Sequence, residues 1–205
     1  MPHQDSDTVK ILDKKTIYQG YAKLEIYTLQ TKLFNGGFSE PYQRELLVRK
    51  DAAAVLPYDP ILDKVVLIEQ FRIGALQEKN PWLLEIVAGV KDQAENPEEL
   101  LKRELQEEAD LKALAILPIM SYFSSPGSSS EKVHLFCAQV DASQAPRFCG
   151  LAHEHEDICV HVLKTEDVFS LLHSNKLNNA ATIIAVQWLE ANLEKVRGTF
   201  GGASL

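Results

Sequence analysis

Cysteine is scarce in this chain: Cys137, Cys149 and Cys159 are the only three in 205 residues, odd in number and without the short paired spacings of a zinc site. A disulfide framework is excluded, and the pattern predicts buried free thiols in a reducing compartment, the cytoplasm. Positive charge is also short, with 21 Lys and Arg against 29 Asp and Glu and a net charge of −8. Nucleic-acid binders cluster Lys and Arg against a phosphate backbone, so that function class is set aside. Nowhere do about 18 apolar residues run together. Met1 to Lys10 is polar and lacks the apolar run of a signal peptide, so no membrane association is expected. Internal repeats and low-complexity tracts are absent as well.

What is present suits a small globular protein. Hydrophobic residues make up 45% and charged residues 24%, enough to bury one good-sized core. Residues 16–32 and 42–49 read as strands around the turn Asn35-Gly36-Gly37, and form an N-terminal β-stranded region over residues 1–50. A second domain over residues 51–197 follows, and a Gly-rich tail over residues 198–205 is expected to fray. Within the domain, residues 53–58, 64–72, 114–123, 132–140 and 157–163 read as strands, with Ile158, Val160 and Val162 alternating onto one face. Thr165 is the expected cap of a helix over residues 166–173, and Asn178 or Asn179 that of a last helix reaching about Val196.

The most informative segment is Gly89 to Leu111, GVKDQAENPEELLKRELQEEADL. Asn96 can cap a helix, Pro97 suits its first position, and Glu98 and Glu99 place negative charge in the first turn. Leu101 and Leu105 lie one turn apart and can face a core, while Glu104, Glu107 and Glu108 share a neighbouring face. Like charges at that spacing cost an isolated helix roughly 0.2–0.5 kcal/mol per pair, so a compensating positive charge is needed. Arg103 can reach Glu99 and Glu107, which would orient Glu107 and leave Glu104 and Glu108 for an ion. All-oxygen ligands point to Mg²⁺ or Mn²⁺ rather than zinc. A solvated acidic face is the alternative that composition alone favours.

The spacing decides against it. Gly89, Glu95, Arg103-Glu104-Leu105, Glu107-Glu108, Asp110 and Leu111 resemble the Nudix box, a 23-residue pattern with nine fixed positions, of which this chain matches all but one. The departure is Asp110, where the family usually has glycine, at a helix end that often turns left-handed. Asp tolerates that conformation at about 1 kcal/mol or more. The resemblance implies an α/β (α+β) fold of mixed sheets sandwiched between helices. It also implies a hydrolase acting on a diphosphate linked to another moiety.

Pro126 stands fifteen residues beyond the box, and the stretches VVLIEQFR (65–72), PWLLEIVAG (81–89), GLAHEHEDICVHV (150–162) and QWL (187–189) look like the ADP-ribose pyrophosphatase branch. By that resemblance Glu104 and Glu108 hold metal, joined by the carbonyl of Ala88 and by Glu107 as ligand or orienter. The general base is Glu154, with Glu156 as its substitute. Arg72, Arg44, Tyr21 and Pro126 are the expected substrate contacts; Arg44 could equally pair with Glu45 or Glu40, and Tyr21 could equally pack in the sheet. His153 and His155 have no assigned role. The branch exchanges its N-terminal strands between two subunits, which implies a homodimer. The expected reaction is Mg²⁺-dependent hydrolysis of ADP-ribose to AMP and ribose 5-phosphate. Another nucleoside diphosphate sugar such as GDP-mannose is the nearest alternative. A non-catalytic nucleotide-sugar sensor is a third, disfavoured because the box glutamates are all present.

Overall fold

A computed structural model describes residues 7–91 and 96–201. Glu95 of the box and the last four residues lie outside the described part, as does the side chain of Glu154. The chain divides into two compact units, one of residues 1–51 with 123–132, the other of residues 52–122 with 133–205.

The first unit is an antiparallel sheet of β1 (Val9–Gln19), β2 (Lys23–Thr31) and β3 (Tyr42–Val48), in that order. The first strand begins earlier than residue 16 because its backbone pairs along the whole of β2, from Val9 opposite Thr31 to Gln19 opposite Lys23. Gly36 and Gly37 in the following loop take φ of 94° and 75°, a region glycine enters without steric cost. The turn at residues 124–130 joins this unit: Leu47 N donates to Ser128 O at 2.8 Å, and Arg49 N donates to Ser130 Oγ at 2.8 Å. The sequence reading places that turn within residues 51–197, since chain order cannot show a pairing across some eighty residues.

The second unit is built on an eight-stranded sheet. Its strands are β4 (Ala52–Asp59), β5 (Lys64–Phe71), β6 (Trp82–Glu85), β7 (Val87–Val90), β8 (Ala115–Phe123), β9 (Lys132–Gln139), β10 (Phe148–Cys149) and β11 (Ile158–Lys164). The path runs β10-β11-β5-β4-β9-β8, with β4 and β9 parallel. β4 and β5 pair only beside their turn, at Tyr58–Val65 and Asp59–Lys64. Further along, β6 pairs with β5 and β7 pairs with β4.

Helices cover both faces, because the central strands are apolar at successive positions and must be buried on each side. On one face Ala53, Val55, Val66, Ile68 and Val87 pack against Leu100, Leu101, Leu105 and Ala109 of α1 (Pro97–Ala109). On the other, Leu56, Tyr58, Val65 and Leu67 pack against α2 (Thr165–His173) and α3 (Ala180–Gly201). The mixed sheet between helices is therefore as expected.

Two helix boundaries differ from the sequence reading. Thr165 is the first residue of α2 rather than its cap, and its hydroxyl donates to Asp63 at 2.9 Å instead. The last helix runs to Gly201, past Gly198 where the tail was expected to begin, because Phe200 is buried in the core and anchors the final turn. Asn179 does cap α3, its Oδ1 accepting from Thr182 N at 3.0 Å. Of the three free cysteines only Cys137 is buried, where loss of solvation pushes its thiol up to about 12. Leu105 is fully buried between α1 and the sheet. Leu105→Ala should destabilise the fold by about 2–5 kcal/mol, read from the urea midpoint; a loss within measurement error would mean that α1 does not bear on the core.

Candidate active site

α1 forms as its sequence dictates. Asn96 Oδ1 accepts from Glu98 N at 3.1 Å, Pro97 opens the helix, and Leu101 and Leu105 are buried. The helix closes at Asp110 with φ 50° and ψ 39°, so this chain places an aspartate in the left-handed position that glycine favours.

Packing α1 on the sheet brings its carboxylates onto β7. Glu108 is almost wholly buried, and its Oε2 accepts from Ala88 N at 3.0 Å. A Cβ built on Gly89 would meet the carboxylate end of Glu104, so a side chain there would displace Glu104 from its present position. Arg103 donates to Glu107 Oε2 at 2.7 Å and lies 2.9 Å from Glu104 Oε1. The expectation that Arg103 would leave Glu104 free is corrected: both carboxylates lie within reach of one planar guanidinium, which carries several donors.

Burial makes Glu104 and Glu108 reluctant to ionise. Loss of solvation, together with the negative charges of Glu107 and Glu156, pushes Glu104 up to about 7 against the pull of Arg103. Glu108 is pushed up to about 8, again chiefly by burial and further by Glu104 and Glu156, against the Ala88 hydrogen bond and Arg72. A buried set of carboxylates that repel one another, next to a strand with no side chain in the way, fits a hard divalent cation with oxygen ligands. Glu104, Glu107 and Glu108 are the residues that would hold it.

Glu156 joins this cluster through the loop before β11. Gly150 N donates to Glu107 O at 3.3 Å, and Gly150 takes φ 103° as the loop folds back, with Leu151 N donating to Glu156 Oε2 at 3.4 Å. Arg72, at the end of β5, donates through Nε to Glu85 Oε2 at 2.7 Å. The other oxygen of Glu85 accepts from Asn179 Nδ2 at 2.8 Å, and Asn179 also binds Thr182, whose hydroxyl accepts from Ile86 N. Glu85 and Asn179 were missed in the sequence. A glutamate inside the apolar run WLLEIVA was the available signal, since a buried charge needs a partner.

Tyr21, Arg44 and Pro126 lie in the N-terminal unit. Tyr21 is almost fully exposed, with the Arg49 guanidinium 5.8 Å from its ring. Arg44 stands on β3 over the Tyr42 ring at 4.5 Å and donates to Gln43 O. Pro126 sits in the turn where Ser128 and Ser129 both donate to Ser125 O.

The raised carboxyl groups set a pH dependence. Glu104 and Glu108 hold protons more tightly folded than unfolded, where a glutamate titrates near about 4.3. Their stabilising contribution is full below that value and is lost as pH rises through about 7 and about 8. In chelator, the urea midpoint should fall between about pH 5 and about pH 8, and fall less in Glu108→Gln; a flat or rising wild-type profile would contradict the buried cluster.

Comparison with known proteins agrees with this geometry. The NUDIX domain model matches residues 48–186. The chain is 41% identical over 190 residues to the ADP-ribose pyrophosphatase of Escherichia coli, covering 92% of this chain and 91% of that one. Identity to the ADP-ribose pyrophosphatase of Haemophilus influenzae is 39% over 199 residues, covering 95% and 92%. The GDP-mannose pyrophosphatase of Pectobacterium atrosepticum is 30% identical over 184 residues, covering 89% and 94%. A solved structure described as an ADP compounds hydrolase superposes with a TM-score of 0.73 at 20% identity, covering 95% of this chain and 98% of that one, and so shares the fold. With Glu104 against Gly89 and Glu108 on the Ala88 N–H, its mixed sheet between helices and a family match spanning most of its length, the chain belongs to the NUDIX domain family.

Proposed function

We propose that the chain hydrolyses the diphosphate bond of ADP-ribose to AMP and ribose 5-phosphate, with Mg²⁺ or Mn²⁺ bound. The observation that carries the substrate is that the relatives matched at 39% and 41% identity are ADP-ribose pyrophosphatases, whereas at 30% both a GDP-mannose and an ADP-ribose pyrophosphatase are found. The buried carboxylate cluster supports the reaction class.

Glu104, Glu107, Glu108 and the carbonyl of Ala88 would hold a divalent cation, which would supply positive charge against the diphosphate oxygens. Ala88 N fixes one oxygen of Glu108, and Arg103 fixes Glu107, so the ligand set is oriented before substrate arrives. Arg72, held in place by Glu85, binds the diphosphate. A carboxylate of the 150–157 loop, Glu154 or Glu156, takes a proton from the attacking water. Oxygen then bonds to phosphorus and the bridging P–O bond breaks, the leaving phosphate departing with its electron pair. The negative charge of Glu156 helps to raise Glu104 and Glu108, which supports a carboxylate of this loop near the cluster.

The N-terminal unit serves substrate binding, through Tyr21, Arg44 and Pro126, and homodimerisation by strand exchange. β1 is the edge of its sheet and is exposed throughout, with Val9, Ile11, Leu12, Ile17 and Tyr18 uncovered. An uncovered apolar edge strand is a template for pairing. The free thiols support a reducing compartment, the cytoplasm.

Initial rates on ADP-ribose and GDP-mannose, with Mg²⁺ and with chelator, test the substrate and the metal. ADP-ribose should be the better substrate and yield AMP only with metal, and Glu108→Gln should lower kcat by about a hundredfold or more with the fold intact. Preference for GDP-mannose would overturn the substrate, and near-normal turnover by Glu108→Gln would overturn the metal site. Light scattering should find a dimer that Ile11→Lys weakens; a stable, active wild-type monomer would remove the exchange.

A further inference from the structure

We propose that Glu69, Cys159 and His161 form a second cation site, chemically distinct from the carboxylate cluster and suited to zinc. Cys159 and Glu69 are direct cross-strand partners on β11 and β5, and His161 lies two residues along β11 on the same face. Their ligand atoms all lie within 4.8 Å of one another, and His161 Nε2 is 2.9 Å from Glu69 Oε2. Bonds of zinc length in a tetrahedral site separate ligands by about 3.3–3.7 Å, so small side-chain rotations suffice to close on an ion.

The donor set chooses the metal. A thiolate, an imidazole and one carboxylate are the ligand types of zinc, whereas Mg²⁺ takes oxygen almost exclusively. Three protein ligands leave a fourth position for water or another donor. The trio is half-buried, so an ion can enter from solvent. Apolar neighbours on the same sheet face, Leu67, Leu84 and Leu163, lower the local polarity and favour binding of a charged ion by charged ligands. An ion here ties β5 to β11, the two strands that lead to Arg72 and from the 150–157 loop, and so couples zinc level to the rigidity of both.

The test needs no turnover. Protein stripped with chelator and held in excess Mg²⁺ is titrated with Co²⁺, which reports a thiolate ligand as a near-ultraviolet charge-transfer band. One Co²⁺ per chain should give that band together with the strong visible bands of tetrahedral cobalt, and Zn²⁺ should displace both. Cys159→Ser, folded as judged by circular dichroism, should lose the charge-transfer band; Cys149→Ser and Glu108→Gln should keep it. Glu69→Gln should weaken cobalt binding by about tenfold or more while keeping the band at saturation. Absence of the band in the wild type, its survival in Cys159→Ser, or its loss in Glu108→Gln would each overturn the assignment.

Discussion

The close approach of β7 to α1 is the constraint on which the catalytic unit depends. Leu100, Leu101 and Leu105 press the helix onto the sheet, and that pressure carries Glu108 into the interior and Glu104 against Gly89. A side chain at position 89 would occupy the space of the Glu104 carboxylate. The apolar face of one helix thus sets the depth at which its acidic face sits. Stability and chemistry are coupled through the same thirteen residues.

Burying carboxylates costs free energy, and the fold offsets only part of it. One backbone N–H serves Glu108, and one guanidinium serves Glu104 and Glu107. The uncompensated loss of solvation, with the repulsion between the carboxylates added to it, appears as the upward shift of both groups, to about 7 and about 8. A site that resists its own ionisation responds strongly to a cation, since the ion supplies the charge that the protein withholds.

The divergence of β4 and β5 explains how the surrounding groups assemble. The two strands pair only near their turn, and β6 and β7 pair with them further along. That insertion sets Glu85 beside Arg72 and delivers Ala88 and Gly89 to the helix. Asn179 is used twice, once as the cap of α3 and once as the donor that steadies Glu85, so the far helix bears on the arginine.

Much of this was legible in the residues. Asn96, Pro97, Leu101, Leu105 and the glutamate spacing define α1 locally, because capping and helical periodicity are short-range effects. The alternation of Ile158, Val160 and Val162 likewise marks a strand face. The end of α3 was not legible, since burial of Phe200 overrides the local cost of glycine. Nor was the pairing of Arg72 with Glu85, or of Glu69 with Cys159 and His161. By itself, then, the sequence determined the helix, its acidic face and the family to which the chain belongs, all of them patterns within one segment. Only the tertiary structure decided which carboxylates are buried and raised, what holds Arg72, and that a thiol, an imidazole and a carboxylate meet across two strands. Those properties arise from desolvation and from contacts between residues remote in the chain, and local order does not encode either.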